Sequence, residues 1–245
     1  MGTTFIIAKR EFRSNFDSPL AYVVICIGLL LVGFLFFSWW NGGFWQADRT
    51  SLAGLFALAP WLLLVVASVV SMRVMAEEKR SGTLELLITL PVRDHEVILG
   101  KFLGAFGLVL VLIAATTLYP IMMFKAPWNL GPLDMGPVIS GYLGLVLYSA
   151  SAVSIGLLIS SLTESQAIAF FLTAVTLFFL HVVGNVAGSL PWPWAKDAVD
   201  FISFNSRLMP FTKGMINTRD IVYFVSITIG SLMVAFRALE RRKWA

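Results

Sequence analysis

Charged residues fall in short clusters separated by long apolar runs. Six runs lack Asp, Glu, Lys and Arg altogether: residues 18–47, 50–72, 102–124, 135–163, 165–195 and 221–236. A helix needs roughly 18 or more apolar residues to cross a bilayer. Five runs pass that length, and the last, at 16 residues, nearly does. The pattern predicts an all-α, polytopic integral membrane protein. Its six spans are expected at about 20–40, 52–72, 97–124, 138–162, 166–189 and 220–237. An outer-membrane barrel is excluded, since its strands alternate over about 10 residues.

The polar clusters have their own patterns. In residues 1–17, Phe5, Ile6, Phe12 and Phe16 alternate with Lys9, Arg10, Glu11 and Arg13. That suits an amphipathic helix lying in the membrane interface. Asp17-Ser18-Pro19 then restarts the chain as a helix, with Pro tolerated in the first turn. The first long apolar run has no small-residue cleavage pattern soon after it, so it is expected to be a retained span. Residues 191–219 are apolar but interrupted by Lys196, Asp197, Asp200 and Arg207. Such a segment does not span comfortably and is expected to be an external re-entrant or interfacial segment.

Composition adds exclusions. Only 13% of the residues are charged and 58% are apolar, against about 25% charge in soluble domains. Soluble enzymes, disordered chains and secreted disulfide scaffolds are ruled out. Cys26 is the single cysteine, and the two histidines, His95 and His181, make no convincing metal cluster. No catalytic constellation is visible, and the net charge of +4 points to membrane orientation, not to nucleic acid. With both termini cytoplasmic, twelve Lys and Arg fall inside and six outside, which favours that orientation.

The richest cluster is 73–96, with nine charged residues in 24. Its five acids exceed what orientation requires, since acids contribute little to it. Leu84, Leu87 and Ile88 share a helical face. Ser81 can cap a helix, Gly82 permits a sharp turn and Pro91 ends the element. This predicts a short helix across the ends of spans two and three. It is either a solvated connector or a docking helix for a cytoplasmic partner.

Four other features have two readings each. Lys101 contacts a substrate or partner, or it snorkels to the inner interface. His181 and Asn185 are functional intramembrane groups or form an interhelical hydrogen bond. Gly100-x-x-x-Gly104 and Gly184-x-x-x-Gly188 form a face between subunits or arise by chance in a Gly-rich chain. Glu164 is a second partner contact or an acid favoured by the helix dipole.

The run Glu78-Lys79-Arg80-Ser81-Gly82-Thr83-Leu84-Glu85-Leu86-Leu87, followed by Leu90-Pro91 and Gly100-Lys101, resembles the type-2 ABC transporter permeases. Lys9-Arg10-Glu11-Phe12 is similar to their N-terminal elbow helix. The segment 211–224 looks like the branch of gliding-motility and nitrous-oxide-reductase-maturation permeases, with one departure: Asn217 stands where that branch carries an acid. The resemblance covers essentially the whole chain.

It implies one permease domain that pairs with a second permease subunit, identical or related. Residues 75–91 would be the coupling helix that enters a groove on a separate cytoplasmic ATPase, present in two copies. The implied coupling residues are Glu77, Glu78, Lys79, Arg80, Ser81, Gly82, Thr83, Leu84, Glu85, Leu87 and Ile88, with Glu164 as a further contact. The chain has no G-x-x-x-x-G-K-[ST] loop. No cofactor is therefore expected in it, and ATP with Mg would be bound by the partner. The implied setting is a bacterial inner membrane, and the implied activity is ATP-driven export or extraction of a substrate. Two alternatives are force transmission to a periplasmic or accessory protein without bulk transport, and an ATP-independent channel or secondary transporter.

Overall fold

A computed structural model describes residues 2–37, 52–82, 93–124, 134–187 and 192–241. Among these residues every regular element is a helix. They are α1 (Thr3–Asp17), α2 (Pro19–Phe37), α3 (Ala53–Val74), α4 (Ala76–Ser81), α5 (Asp94–Thr116), α6 (Leu118–Phe124), α7 (Met135–Leu162), α8 (Gln166–Ala187), α9 (Pro193–Ile202), α10 (Phe204–Thr212) and α11 (Thr218–Arg241). Five are long and apolar enough to cross a membrane, counting α3 with α4 and α5 with α6 as single spans. The pair α1 and α2, bent by 72°, supplies a sixth if taken together.

The spans form an up-and-down bundle around α7, which packs against α3, α5, α8, α10 and α11. One end of the bundle is charged and holds α1, α4, the start of α5 and the end of α7. The far end holds α9, α10 and the start of α11. The flanks formed by α8 and α11 expose Phe171, Val175 and Met233. In a membrane protein those apolar faces are expected to meet lipid.

The long third span is broken, which its hydrophobic run does not reveal. Pro120 lacks the N–H that would continue the ladder to the Thr116 carbonyl. The hydroxyls of Thr116 and Thr117 take the carbonyls of Ile113 and Ala114 at 2.7 and 2.6 Å, competing locally with helical bonding. α5 accordingly stops at Thr116 and α6 restarts at Leu118.

α1 is not simply laid on a lipid surface. It docks along α5, over Gly100, Gly104 and Gly107, which lie on one face at i, i+4 and i+7. A Cβ at Gly104 would fall 2.5 Å from the Glu11 Cβ and 3.2 Å from the Ala8 carbonyl, and one at Gly100 would fall 2.7 Å from Ile7. The Gly100/Gly104 pair thus serves a contact within this chain, filled by α1. Gly184 likewise faces Ser203, the N-cap of α10, and Ser206 within it; its partner Gly188 lies outside the described residues.

Candidate functional site

The charged end gathers residues far apart in sequence. α3 ends at Val74, and Met75, at φ −122°, interrupts the helix before α4 starts. Ser81 is the last residue of α4, its hydroxyl bonded back to the Glu77 carbonyl at 2.9 Å. Gly82 follows with φ 71°, a left-handed C-cap that glycine adopts without a Cβ penalty. The single element expected over 75–91 therefore has a helix end inside it. Ser81 closes a helix where the sequence suggested it would open one. Thr83, Leu84, Glu85, Leu87 and Ile88 lie outside the described residues.

Within α4 the side chains divide by direction. Glu77, Arg80 and Ser81 are exposed, as is the capping Gly82 just beyond the helix. Glu78 turns inward, with its carboxylate 2.7 Å from Lys101 Nζ. Lys79 turns toward α7 and donates to the Ser161 carbonyl. Glu77 stays at the rim, 3.0 Å from Arg73, whose guanidinium also donates to the Ser18 hydroxyl at 3.3 Å. Glu164 is exposed in the α7–α8 turn, three residues beyond the Ser161 that holds Lys79.

Lys101 is the centre of this arrangement. Two turns into α5, it is only 1% exposed. Its ammonium group meets Glu78 at 2.7 Å and Glu11 of α1 at 3.3 Å, and it donates to the Val74 carbonyl at 2.9 Å. Three donors thus meet two carboxylates and one carbonyl, which uses the full capacity of an ammonium group. Arg10 lies 3.0 Å from Glu11 and 3.9 Å from Glu78. Lys101 therefore does not snorkel to the interface. It is desolvated, which is tolerable because it is paired and hydrogen-bonded. The result is one ionic knot joining α1, the α3–α4 junction and α5. A cleft of about 290 Å³ lies beside it, lined by Ser14, Asn15 and Arg73 among others.

The far end holds a second buried knot. Arg207 of α10 and Asp220 of α11 pair at 3.1 Å, with side chains 8% and 5% exposed. Asn217 donates to the other oxygen of Asp220 at 3.2 Å. The Arg207 guanidinium lies 4.9 Å from the Phe201 ring centre and 5.3 Å from that of Tyr223, close enough for cation–π attraction. The Asn at 217 thus serves as a donor to the carboxylate that Arg207 needs. The segment 191–219 is built, over its described part, from the two short helices α9 and α10. His181 and Asn185 part company: His181 lies 4.6 Å from Trp61 between ring centres, while Asn185 accepts from Asn205 at 3.4 Å.

Sequence reasoning missed Glu11 as a partner of Lys101, Arg10 as a second cation beside Glu11 and Glu78, and Ser160 and Ser161 as partners of the α3–α4 junction. The legible signal was a serine pair at the end of an apolar span, with no polar need of its own.

Residues 5–244 match the family model described as ABC-2 family transporter protein. Over 117 residues the chain is 32% identical to the probable ABC transporter permease protein NosY of Pseudomonas aeruginosa. That match covers 46% of this chain and 42% of the relative, so less than half of that protein's length is compared.

Proposed function

The chain belongs to the ABC-2 family of transporter proteins, and from that premise we propose that it couples ATP hydrolysis by a separate cytoplasmic ATPase to movement of a substrate across a bacterial inner membrane. In this reading the charged end is cytoplasmic, and the 75–91 stretch is the docking element. The exposed Glu77 and Arg80 of α4 set register with the ATPase, and Leu84, Leu87 and Ile88 supply apolar anchors. Glu164, exposed in the α7–α8 turn, is a further contact in this reading. ATP with Mg belongs to the partner. Two permease subunits and two ATPase subunits make the working assembly, and export or extraction is the favoured direction.

The observation that supports this best is the Glu78–Lys101–Glu11 knot. A solvated connector needs no buried ion pair. An element that must pass force into the bundle needs a stiff attachment, and a fully paired buried ammonium provides one. ATPase closure would then move α4, α1 and α5 together as a rigid unit.

A second reading has its own observation. α9 exposes Trp194 at 72%, and Trp192 just before it is exposed at 58%, so the far end could hand motion to an external protein without bulk transport. Purification separates these outcomes from an ATP-independent carrier. The tagged chain, solubilised from its native membrane, is expected to bring along a soluble P-loop ATPase and vanadate-sensitive ATP hydrolysis. Recovery of the chain alone, with no hydrolysis, would contradict the proposal.

A further inference from the structure

We infer that α7 is the rod that carries movement of α4 to the far end, and that Ser160 and Ser140 are the positioning residues gripping its two ends. The inference rests on the ATPase-driven reading above and adds a route to it.

At the charged end, Ser160 is fully buried. Its hydroxyl accepts the backbone N–H groups of Met75 at 3.2 Å and Ala76 at 3.0 Å, and lies 3.3 Å from the Met72 carbonyl it can donate to. These are the amides freed where α3 stops and α4 begins. The Ser161 carbonyl accepts from Lys79. α4 is thereby held by α7 at the very point where its continuity with α3 is lost. A push on α4 must cross the interruption at Met75 before it reaches α3, but it meets α7 directly.

At the opposite end of the same helix, the Ser140 hydroxyl donates to the Phe211 carbonyl of α10 at 2.7 Å, while also lying 2.8 Å from its own Gly136 carbonyl. Midway, Ser151 donates to the Phe224 carbonyl of α11 at 2.9 Å and meets the Thr228 hydroxyl at 3.2 Å. Ser140 and Ser160 are 20 residues apart, about 30 Å along a helix at about 1.5 Å per residue.

α7 is suited to carry motion over that distance. It runs unbroken from Met135 to Leu162, unlike α3, which breaks at Met75, and α5, which breaks at Thr117. Its small residues also let neighbours close in. A Cβ at Gly156 would fall 2.0 Å from the Ser71 hydroxyl, and one at Gly144 would fall 2.8 Å from Phe211. Close-packed contacts of this kind are not continuously deformable and pass displacement on. Among the described residues, Ser149 and Ser154 of α7 bond within their own helix, Ser149 to the Val146 carbonyl at 2.9 Å and Ser154 to the Ser151 carbonyl at 2.8 Å. The serines that grip other elements sit at the ends and the middle, where α4, α10 and α11 attach.

The test uses the assembled permease with its ATPase. Cys26 is replaced by Ala, and a spin label is placed at Met209→Cys, an exposed position on α10. Vanadate trapping with ATP should change the label's mobility in the otherwise native protein. Ser160→Ala and Ser140→Ala are each expected to reduce that change at least about fivefold. Ser140→Ala should leave ATPase binding and hydrolysis intact, and Ser160→Thr should restore part of the response. Ser149→Ala, an equal loss of a buried hydroxyl, should respond as the parent does, which separates transmission from general loosening of α7. Full responses from both Ser160→Ala and Ser140→Ala would overturn the inference, as would an equal loss in Ser149→Ala. Absence of a copurifying ATPase and of any nucleotide response in the parent would overturn the ATPase-driven reading itself, and with it this route.

Discussion

Replacing Lys101 by methionine is expected to destabilise the chain by about 3–5 kcal/mol, the usual cost of removing one partner of a buried ion pair. The loss comes less from the attraction itself than from what stays behind. Glu78 and Glu11 converge on the ammonium at 2.7 and 3.3 Å, and without it two carboxylates face each other in a site of low dielectric. The Val74 carbonyl loses its donor as well. Thermal unfolding in detergent should show the drop. A triple variant, Lys101→Met with Glu11→Gln and Glu78→Gln, removes the stranded charges and should recover most of the stability. It should not recover the anchoring of α4, so ATP hydrolysis driven by the assembled permease should stay reduced on the order of tenfold, a change of about 1.4 kcal/mol. Stability and hydrolysis recovering together would show that the knot holds the fold but plays no part in coupling.

The far end gives the second large effect. Arg207→Met should cost a similar 3–5 kcal/mol or so, because Asp220 would remain buried with only Asn217 to satisfy it. The damage should be local. α9 and α10 are held to α11 by this pair, by the Tyr223 hydroxyl on the Ile202 carbonyl, and by cation–π contacts of Arg207 with Phe201 and Tyr223. Faster amide exchange and proteolysis across 192–216 should report it, with α3 and α7 unchanged. Asp220→Leu combined with Arg207→Met should bring exchange back toward the native rate, since an apolar pair of similar volume often replaces a buried ion pair at little cost. Uniform loosening of the whole bundle would instead make the pair a global stabiliser.

The fold class was legible because apolar runs of this length have few alternatives in a bilayer. Helix interruptions were less so. The break at Thr117 depends on Pro120 and two threonine hydroxyls inside an otherwise continuous run, and the break at Met75 depends on Ser160, 85 residues away. The glycines on α5 gave a true signal of close helix approach but not of what approaches; the occupant is α1 of the same chain. Lys101 shows the limit most clearly. Near the start of a span, a lysine obeys the same sequence pattern whether it snorkels to water or closes a buried knot. Only the fold brings Glu11 and Glu78 to it. In the stretch 73–96, sequence could mark the charged cluster but could not separate the inward Glu78 and Lys79 from the outward Glu77 and Arg80. That division depends on which neighbours, α5 and α7, flank α4.

The most direct test of the account asks what touches α4 in the membrane. A photo-crosslinking amino acid placed at Arg80, exposed one residue before Ser81, should on illumination capture a soluble P-loop ATPase, and the same probe at the inward Glu78 should capture it far less. Adding ATP with vanadate should alter the Arg80 yield. Crosslinking from Arg80 only to lipid, or to proteins without an ATPase, in membranes where the chain is folded, would contradict the claim that α4 is the seat of an ATP-driven partner.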